Sequence, residues 1–128
     1  MVPDDLLYTE QHEWIRVDGQ TGTVGITEHA QEQLGDLTFV ELPDKGKKVR
    51  QGEEALSLES CKAAASVYAP AGGEISEVND SLEDDPGLVN SDPYTDGWIY
   101  RLTLTSPADL EKLMKPTDYE KFLAAQDD

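Results

Sequence analysis

Cations are scarce in this chain of 128 residues: 10 Lys and Arg stand against 27 Asp and Glu, a formal charge of −17. Phosphate backbones would be repelled, which argues against a nucleic-acid partner. Such a charge favours solubility and steers encounters toward proteins with basic faces. Cysteine is nearly lacking. Cys61 alone excludes an internal disulfide framework and any cysteine-cluster metal site. The two histidines, His12 and His29, stand far apart in sequence, and no metal site is expected from them. No apolar run approaches a membrane span. The opening MVPDDLLYTE has neither the basic-then-apolar pattern of a signal peptide nor the arginine-rich pattern of a transit peptide. A cytoplasmic protein with no membrane partner is therefore the expectation.

What is present suits one domain with a modest core, since 38% of residues are apolar. Short alternating runs dominate the first four-fifths. EWIRV and TVGI flank the turn DGQT and read as a hairpin. In TEHAQEQLG, Thr27 caps a short helix and Gly35 ends it. LTFVELP is a strand stopped by Pro43, and EALSLES, AASVYAP and GGEISEV are further strands. WIYRLTLT alternates, which places Trp98, Tyr100, Leu102 and Leu104 on one face. The loop from Asn79 to Tyr94 is acidic, rich in Pro, Asn and Asp, and expected to be exposed.

The C-terminus reads as helical. Ser106 and Pro107 form an N-cap and first turn, and Asp109 lies near the positive end. Leu110, Leu113 and Met114 follow at helical spacing. Thr117 and Glu120 make a capping-box pattern before the stripe Tyr119, Phe122 and Leu123. These stripes are read as packing surfaces. Four of the ten cations, Lys45, Lys47, Lys48 and Arg50, crowd into PDKGKKVRQG. That segment is expected to be a solvated loop, with a docking role as the alternative. A weak echo between DLTFVELPDKGKKVRQGE and GEISEVNDSLEDDPGLVN suggests two small sheets in a flattened barrel or sandwich.

Between EALSLES and AASVYAP stands one lysine, Lys62, where one strand reverses into the next. A hairpin tip holds an ammonium in water and presents it on a projecting turn. The small flanks Ser60, Ala63 and Ala64 let a modifying enzyme approach closely. On position alone, an ordinary surface lysine in a turn is the simpler reading.

The segment ESCKAAASVYAP resembles the lipoyl-attachment segment of the glycine cleavage H-protein family. HEW at His12 to Trp14, GITEHAQEQLGD at Gly25 to Asp36, FVELPDKG at Phe39 to Gly46, GEISEVN at Gly73 to Asn79 and LVNSDPYTDGWIY at Leu88 to Tyr100 match the same family in order. Biotin-carrier domains show methionines on both sides of their lysine, where this chain has Cys61 and Ala63. Lipoyl domains of 2-oxo acid dehydrogenases show an aspartate at the place of Cys61 and lack the HEW segment and the C-terminal helices.

The resemblance implies a mainly β, lipoyl-type fold of two small antiparallel sheets with a short internal helix and C-terminal helices. It implies one carrier domain over 1–128, with the lysine hairpin at about 55–69 and the helical segment at about 107–125. It implies that lipoic acid is joined to Lys62 as an amide, which takes the formal −17 to −18 by removing one positive charge. Amide formation from a cationic amine needs an activated acyl donor, so a lipoyl ligase or transferase is implied. The implied role is that of a shuttle and not an enzyme. It carries an aminomethyl group from a pyridoxal-phosphate glycine decarboxylase to a folate-dependent aminomethyltransferase, and dihydrolipoyl dehydrogenase then reoxidises the arm. A monomer is expected.

An aminomethyl group on a thiol is lost to water, so a sheltering cleft with a carboxylate for its amine is expected. The family lines this cleft with the segment before the HEW tryptophan, which makes Glu13 the candidate contact to the loaded arm; a solvated strand carboxylate is the alternative. His29 is assigned a structural hydrogen bond within its helix. Two departures stand out: Ser66 lies where the family often has aspartate, and Cys61 where it often has valine. Cys61 is expected to be small, apolar and half-buried, with a reactive role beside a dithiol cofactor as the alternative. Two other roles stay open: an H-like relay of lipoate to other enzymes, and an unmodified acidic interaction domain.

Overall fold

The computed structural model describes residues 2–126; Met1, Asp127 and Asp128, which the expected domain also includes, lie outside the described residues. Among the described residues, nine strands form two antiparallel sheets: β1 Leu7–Tyr8, β2 Glu13–Asp18, β3 Thr21–Ile26, β4 Leu37–Glu41, β5 Lys48–Val49, β6 Glu54–Ser60, β7 Ala64–Tyr68, β8 Gly73–Val78 and β9 Tyr100–Leu104. The larger sheet has the order β1-β2-β3-β9-β8-β5, and the smaller one β4-β6-β7. This is the expected mainly β architecture of two antiparallel sheets, both of them open at their edges.

One core forms between the sheets. Ile15, Val24, Ile75 and Leu102 of the larger sheet meet Val40, Leu56, Leu58 and Val67 of the smaller one. A second cluster lies around β1 and β2. There the register Leu7↔Ile15 and Tyr8↔Trp14 sends Ile15 and Leu7 to the first core and Tyr8 and Trp14 to the second. Helix α4, Pro116–Gln126, closes that second cluster with Tyr119, whose ring stacks on Tyr8 at 4.5 Å between centroids.

Helix α1, Glu28–Leu34, begins and ends where its local chemistry dictates. Thr27 caps it by accepting from Ala30 N, and Gly35 closes it at φ 78°, a conformation that costs little only for glycine.

Several expectations are corrected by tertiary pairing. The basic segment is not all loop: Lys48 and Val49 form an edge strand opposite Glu74 and Gly73, and Val49 is buried. The Asn79–Tyr94 stretch holds two one-turn helices, α2 Ser81–Asp84 and α3 Leu88–Ser91, with Leu82 and Val89 fully buried. Asn79 closes this excursion through Nδ2 to the carbonyls of Asp96 and Trp98, at 2.9 and 2.7 Å. Trp98 precedes β9 and belongs to the second cluster, with the Arg101 guanidinium 4.1 Å over its ring. It therefore does not share the face of Tyr100 and Leu102, which enter the first core.

The C-terminal reading needs a similar correction. Pro107–Lys112 is a 3₁₀ helix, and Ser106 gives it no side-chain cap. The carboxylate of Asp109 instead accepts from Gly72 N at 3.0 Å. Leu113 is extended, and Met114 bridges to Tyr8. This explains why Leu113 faces the first core and Met114 the second. Thr117 lies inside α4 rather than before it, and Glu120 accepts from Val2 N instead of closing a capping box.

Candidate functional site

Strands β6 and β7 form the hairpin that carries Lys62. Their register pairs Leu58 with Ala65 and Glu59 with Ala64, leaving Cys61, Lys62 and Ala63 at the tip, all exposed. Tight hairpin turns commonly use a glycine at positive φ. None is needed here, because His12 is the only non-glycine residue at positive φ among the described residues. Ser60 supplies the turn chemistry. Its Oγ accepts from the backbone N–H of Lys62 at 3.2 Å and of Ala63 at 3.0 Å, and its O–H donates to Ala63 O at 3.2 Å. A further bond, Cys61 N–H to Asp36 O at 3.1 Å, ties the tip to the connector between α1 and β4.

The lysine stem crosses that connector. A Cβ on Gly35 would lie 2.9 Å from Lys62 Cε and 3.5 Å from Nζ, so the stem rests against the glycine and a side chain there would push it aside. The ammonium makes no ion pair among the described residues; the pairs found are Arg16–Asp5 and Arg101–Glu77. Cys61 is exposed, which corrects the expectation of a half-buried apolar role. The backbone tie to Asp36 holds its main chain, and its Sγ lies 3.8 Å from where a Cβ on Gly35 would be.

Behind the tip, a cavity of about 220 Å³ opens between α1 and the hairpin. Ala30 and Leu34 form one wall, Leu58, Ala65 and Val67 another, and Glu13 and His12 close a third. Glu13 is the only acidic residue among the described residues that line it. It is not a solvated strand carboxylate: it is 2% exposed. Its Oε1 accepts from Thr9 Oγ1 and its Oε2 from Tyr68 N–H at 3.0 Å. Burial pushes its carboxyl above the usual range, and the hydrogen bonds from Thr9 and Tyr68 pull it partly back. Glu13 also borders a second cavity of about 360 Å³, with Gln51, Tyr68, Lys112 and Met114. The smaller cavity is the one bounded by the lysine hairpin and by Leu34, next to Gly35. Ser66 lies on its wall and donates its hydroxyl to Glu54 Oε1.

Sequence separation concealed the relation of the two histidines. His12 and His29 stand 4.4 Å apart between ring centroids, so their distance along the chain was no guide to their distance in space. His12 sits at φ 68°, and its Nδ1 is 2.8 Å from Tyr119 Oη. That hydroxyl also lies 2.8 Å from Thr27 Oγ1. A chain of polar contacts thus runs from the cavity wall through α4 to the cap of α1. Burial, and then the neighbouring His29, lower the pKa of His12; a hydrogen bond with Gln126 opposes them. His29 packs against His12 by ring contact rather than by the hydrogen bond assigned to it from sequence. No cluster of three or more metal-ligating side chains occurs among the described residues, and no helix there is long and apolar enough to cross a membrane.

The family model for the glycine cleavage H-protein matches residues 6–126. The chain is similar to the glycine cleavage system H protein of Enterobacter sp. (strain 638), 53% identical over 123 residues and 95% of both chains. It is 50% identical to the protein of the same name from Symbiobacterium thermophilum, over 121 residues and 94% of both chains. Among solved structures, the crystal structure of a glycine cleavage system H protein from Mycobacterium marinum superposes with a TM-score of 0.85 and 40% identity, covering 92% of this chain and 95% of that one.

Proposed function

The chain belongs to the glycine cleavage H-protein family, and on that premise we propose that it carries lipoic acid as an amide on Lys62. As an H protein it is a lipoyl carrier protein of the glycine cleavage system and not an enzyme. The observation that carries the assignment to Lys62 is the tip itself. An exposed, unpaired amine stands on a hydrogen-bonded turn, with only small side chains beside it. The apolar walls of the adjacent cavity suit a hydrocarbon arm, and its one carboxylate suits a cationic end group. When attached, the lipoyl group supplies a disulfide that can be opened, carry an aminomethyl group and be closed again by oxidation.

The residues of this chain have three tasks in the proposal. Ser60 and Gly35 hold the attachment amine outside the fold, where a lipoyl ligase or transferase reaches it. Leu34, Leu58 and Val67 exclude water from the cavity. Glu13 receives the cationic amine of the loaded arm. Each of its oxygens accepts one hydrogen bond and keeps capacity for another. A cation there would restore the ionised carboxylate that burial disfavours. The proposed partners are the pyridoxal-phosphate glycine decarboxylase, the folate-dependent aminomethyltransferase and dihydrolipoyl dehydrogenase, visited in that order.

Intact mass and peptide mapping of protein co-expressed with a lipoyl ligase test the assignment. One lipoyl adduct on the peptide holding Lys62, lost in Lys62→Arg, is expected; an unmodified protein or an adduct elsewhere would overturn it. For Glu13, the variant Glu13→Gln should lose the loaded aminomethyl group faster than wild type. An unchanged rate removes Glu13 from the account.

A further inference from the structure

Resting on the assignment of Lys62 as the attachment residue, we infer that Asn90 is a positioning residue for that lysine. It acts by clamping the two-residue connector, Gly35 and Asp36, that the lysine stem crosses. The Leu88–Ser91 turn lies within a motif whose purpose the carrier function leaves unexplained. Asn90 uses its whole side-chain amide on the connector and the helix before it. Nδ2 donates to Gly35 O and to Gln31 Oε1, each at 2.9 Å, and Oδ1 accepts from Leu37 N–H at 2.9 Å.

These bonds bracket the place where the hairpin tip is tied. Between Gly35 and Leu37, the carbonyl of Asp36 accepts from Cys61 N–H at 3.1 Å, and Leu37 pairs with Ser60. The stem of Lys62 lies against Gly35 itself. One side chain therefore fixes both ends of the segment that fixes the tip. Its own base is firm. Val89 is fully buried, and Gly97 packs so closely that a Cβ there would lie 2.6 Å from Leu88 O and 2.8 Å from Val89 Cα.

Without Asn90, Gly35 O and Leu37 N–H lose their partners, and the connector gains freedom at φ 78° and at the first residue of β4. The lysine remains exposed and chemically intact, but its direction is no longer held. A modifying enzyme would still dock on the same surface and would find the amine in near-attack geometry less often. The signature is therefore a fall in kcat with KM little changed.

The test uses the full chain without lipoate, a lipoyl ligase, ATP and lipoate, and follows intact mass with time at several carrier concentrations. Asn90→Ala removes all three bonds. Asn90→Asp keeps the acceptor for Leu37 N–H but turns an anionic oxygen toward Gly35 O and Gln31 Oε1. Both should lower kcat by about tenfold, the loss expected of a misaligned reacting group, while Ser91→Ala, exposed on the same turn, should match wild type. Amide exchange should quicken at Leu37 and Cys61 and stay unchanged at Ile99, whose N–H bonds to Val24 O in the larger sheet. Wild-type kcat in both variants overturns the inference. So does exchange that quickens equally at Ile99, since the loss would then be general unfolding. If wild type itself gains no mass on Lys62, it is the attachment assignment that fails.

Discussion

The backbone N–H of Tyr68 donates to Glu13 Oε2 at 3.0 Å, so the strand descending from the lysine tip ends on a buried carboxylate. Glu13 belongs to β2 of the larger sheet and Tyr68 to β7 of the smaller. This bond therefore joins the two sheets at the floor of the cavity, and it does so through a group that is costly to bury as an anion.

Stability should record that cost. The pKa of Glu13 is raised in the fold, so the folded state holds its proton to higher pH than the unfolded chain does. The stabilisation is fully present below the unfolded carboxylate range and is lost as pH rises through the folded pKa. Urea titrations of wild type and Glu13→Gln across pH 4 to 8 check this. The difference between them should shift in favour of Glu13→Gln as pH rises; a difference independent of pH contradicts the account.

His12 titrates with the opposite sign. Its folded pKa is lowered, so its contribution is present above the unfolded histidine value of about 6.5 and is lost as pH falls through the folded pKa. NMR titration can follow both imidazoles, since His12 and His29 are the only ones in the chain. Because the nearby His29 depresses His12, His29→Gln should move the His12 midpoint upward. An unmoved midpoint would leave burial as the sole cause.

Ser66 offers a gain-of-function comparison. It lies on the cavity wall, where Glu13 is the only acid among the described residues, and donates to Glu54. Ser66→Asp alone sets two carboxylates side by side and should destabilise, by a few tenths to about 1 kcal/mol for a cross-strand like-charge pair. Combined with Glu54→Gln, the new carboxylate gains a donor, and the loaded arm should keep its aminomethyl group longer than in wild type. Retention equal to wild type would mean that Glu13 alone sets the lifetime.

Leu82 gauges the segment expected to be exposed. It is fully buried in the first core, so Leu82→Ala should cost about 2–5 kcal/mol. The same change at exposed Val17, 37% accessible, should cost far less. Thermal or urea unfolding separates the two.

Where chemistry is local, the sequence was legible. Thr27 and Gly35 mark the ends of α1 because cap and C-terminal glycine act within one turn. The Lys62 hairpin follows from two alternating runs meeting at small residues. Legibility failed where distant partners decide. Leu82 stands singly among acidic residues and Val89 forms only a two-residue apolar pair with Leu88, so no periodicity betrays their burial. Thr117 and Glu120 have the spacing of a capping box, but Pro116 starts the helix earlier and Val2 takes Glu120. His12 and His29 are brought together by a backbone turn at φ 68° that no spacing announces. The cavity was expected only through the family resemblance. Its walls come from β2, α1 and the hairpin at once, and the Asn90 clamp from a fourth segment.

The larger sheet ends at both sides in strands of only two residues, β1 and β5. The outer face of β1 is already occupied by its bridge to Met114, and β5 carries Lys48 within a cluster of cations. Main-chain pairing between copies therefore finds almost no free edge on this sheet, and what it finds at β5 repels its own image. Copies of the chain can therefore be crowded to high concentration without the larger sheet adding end to end into filaments.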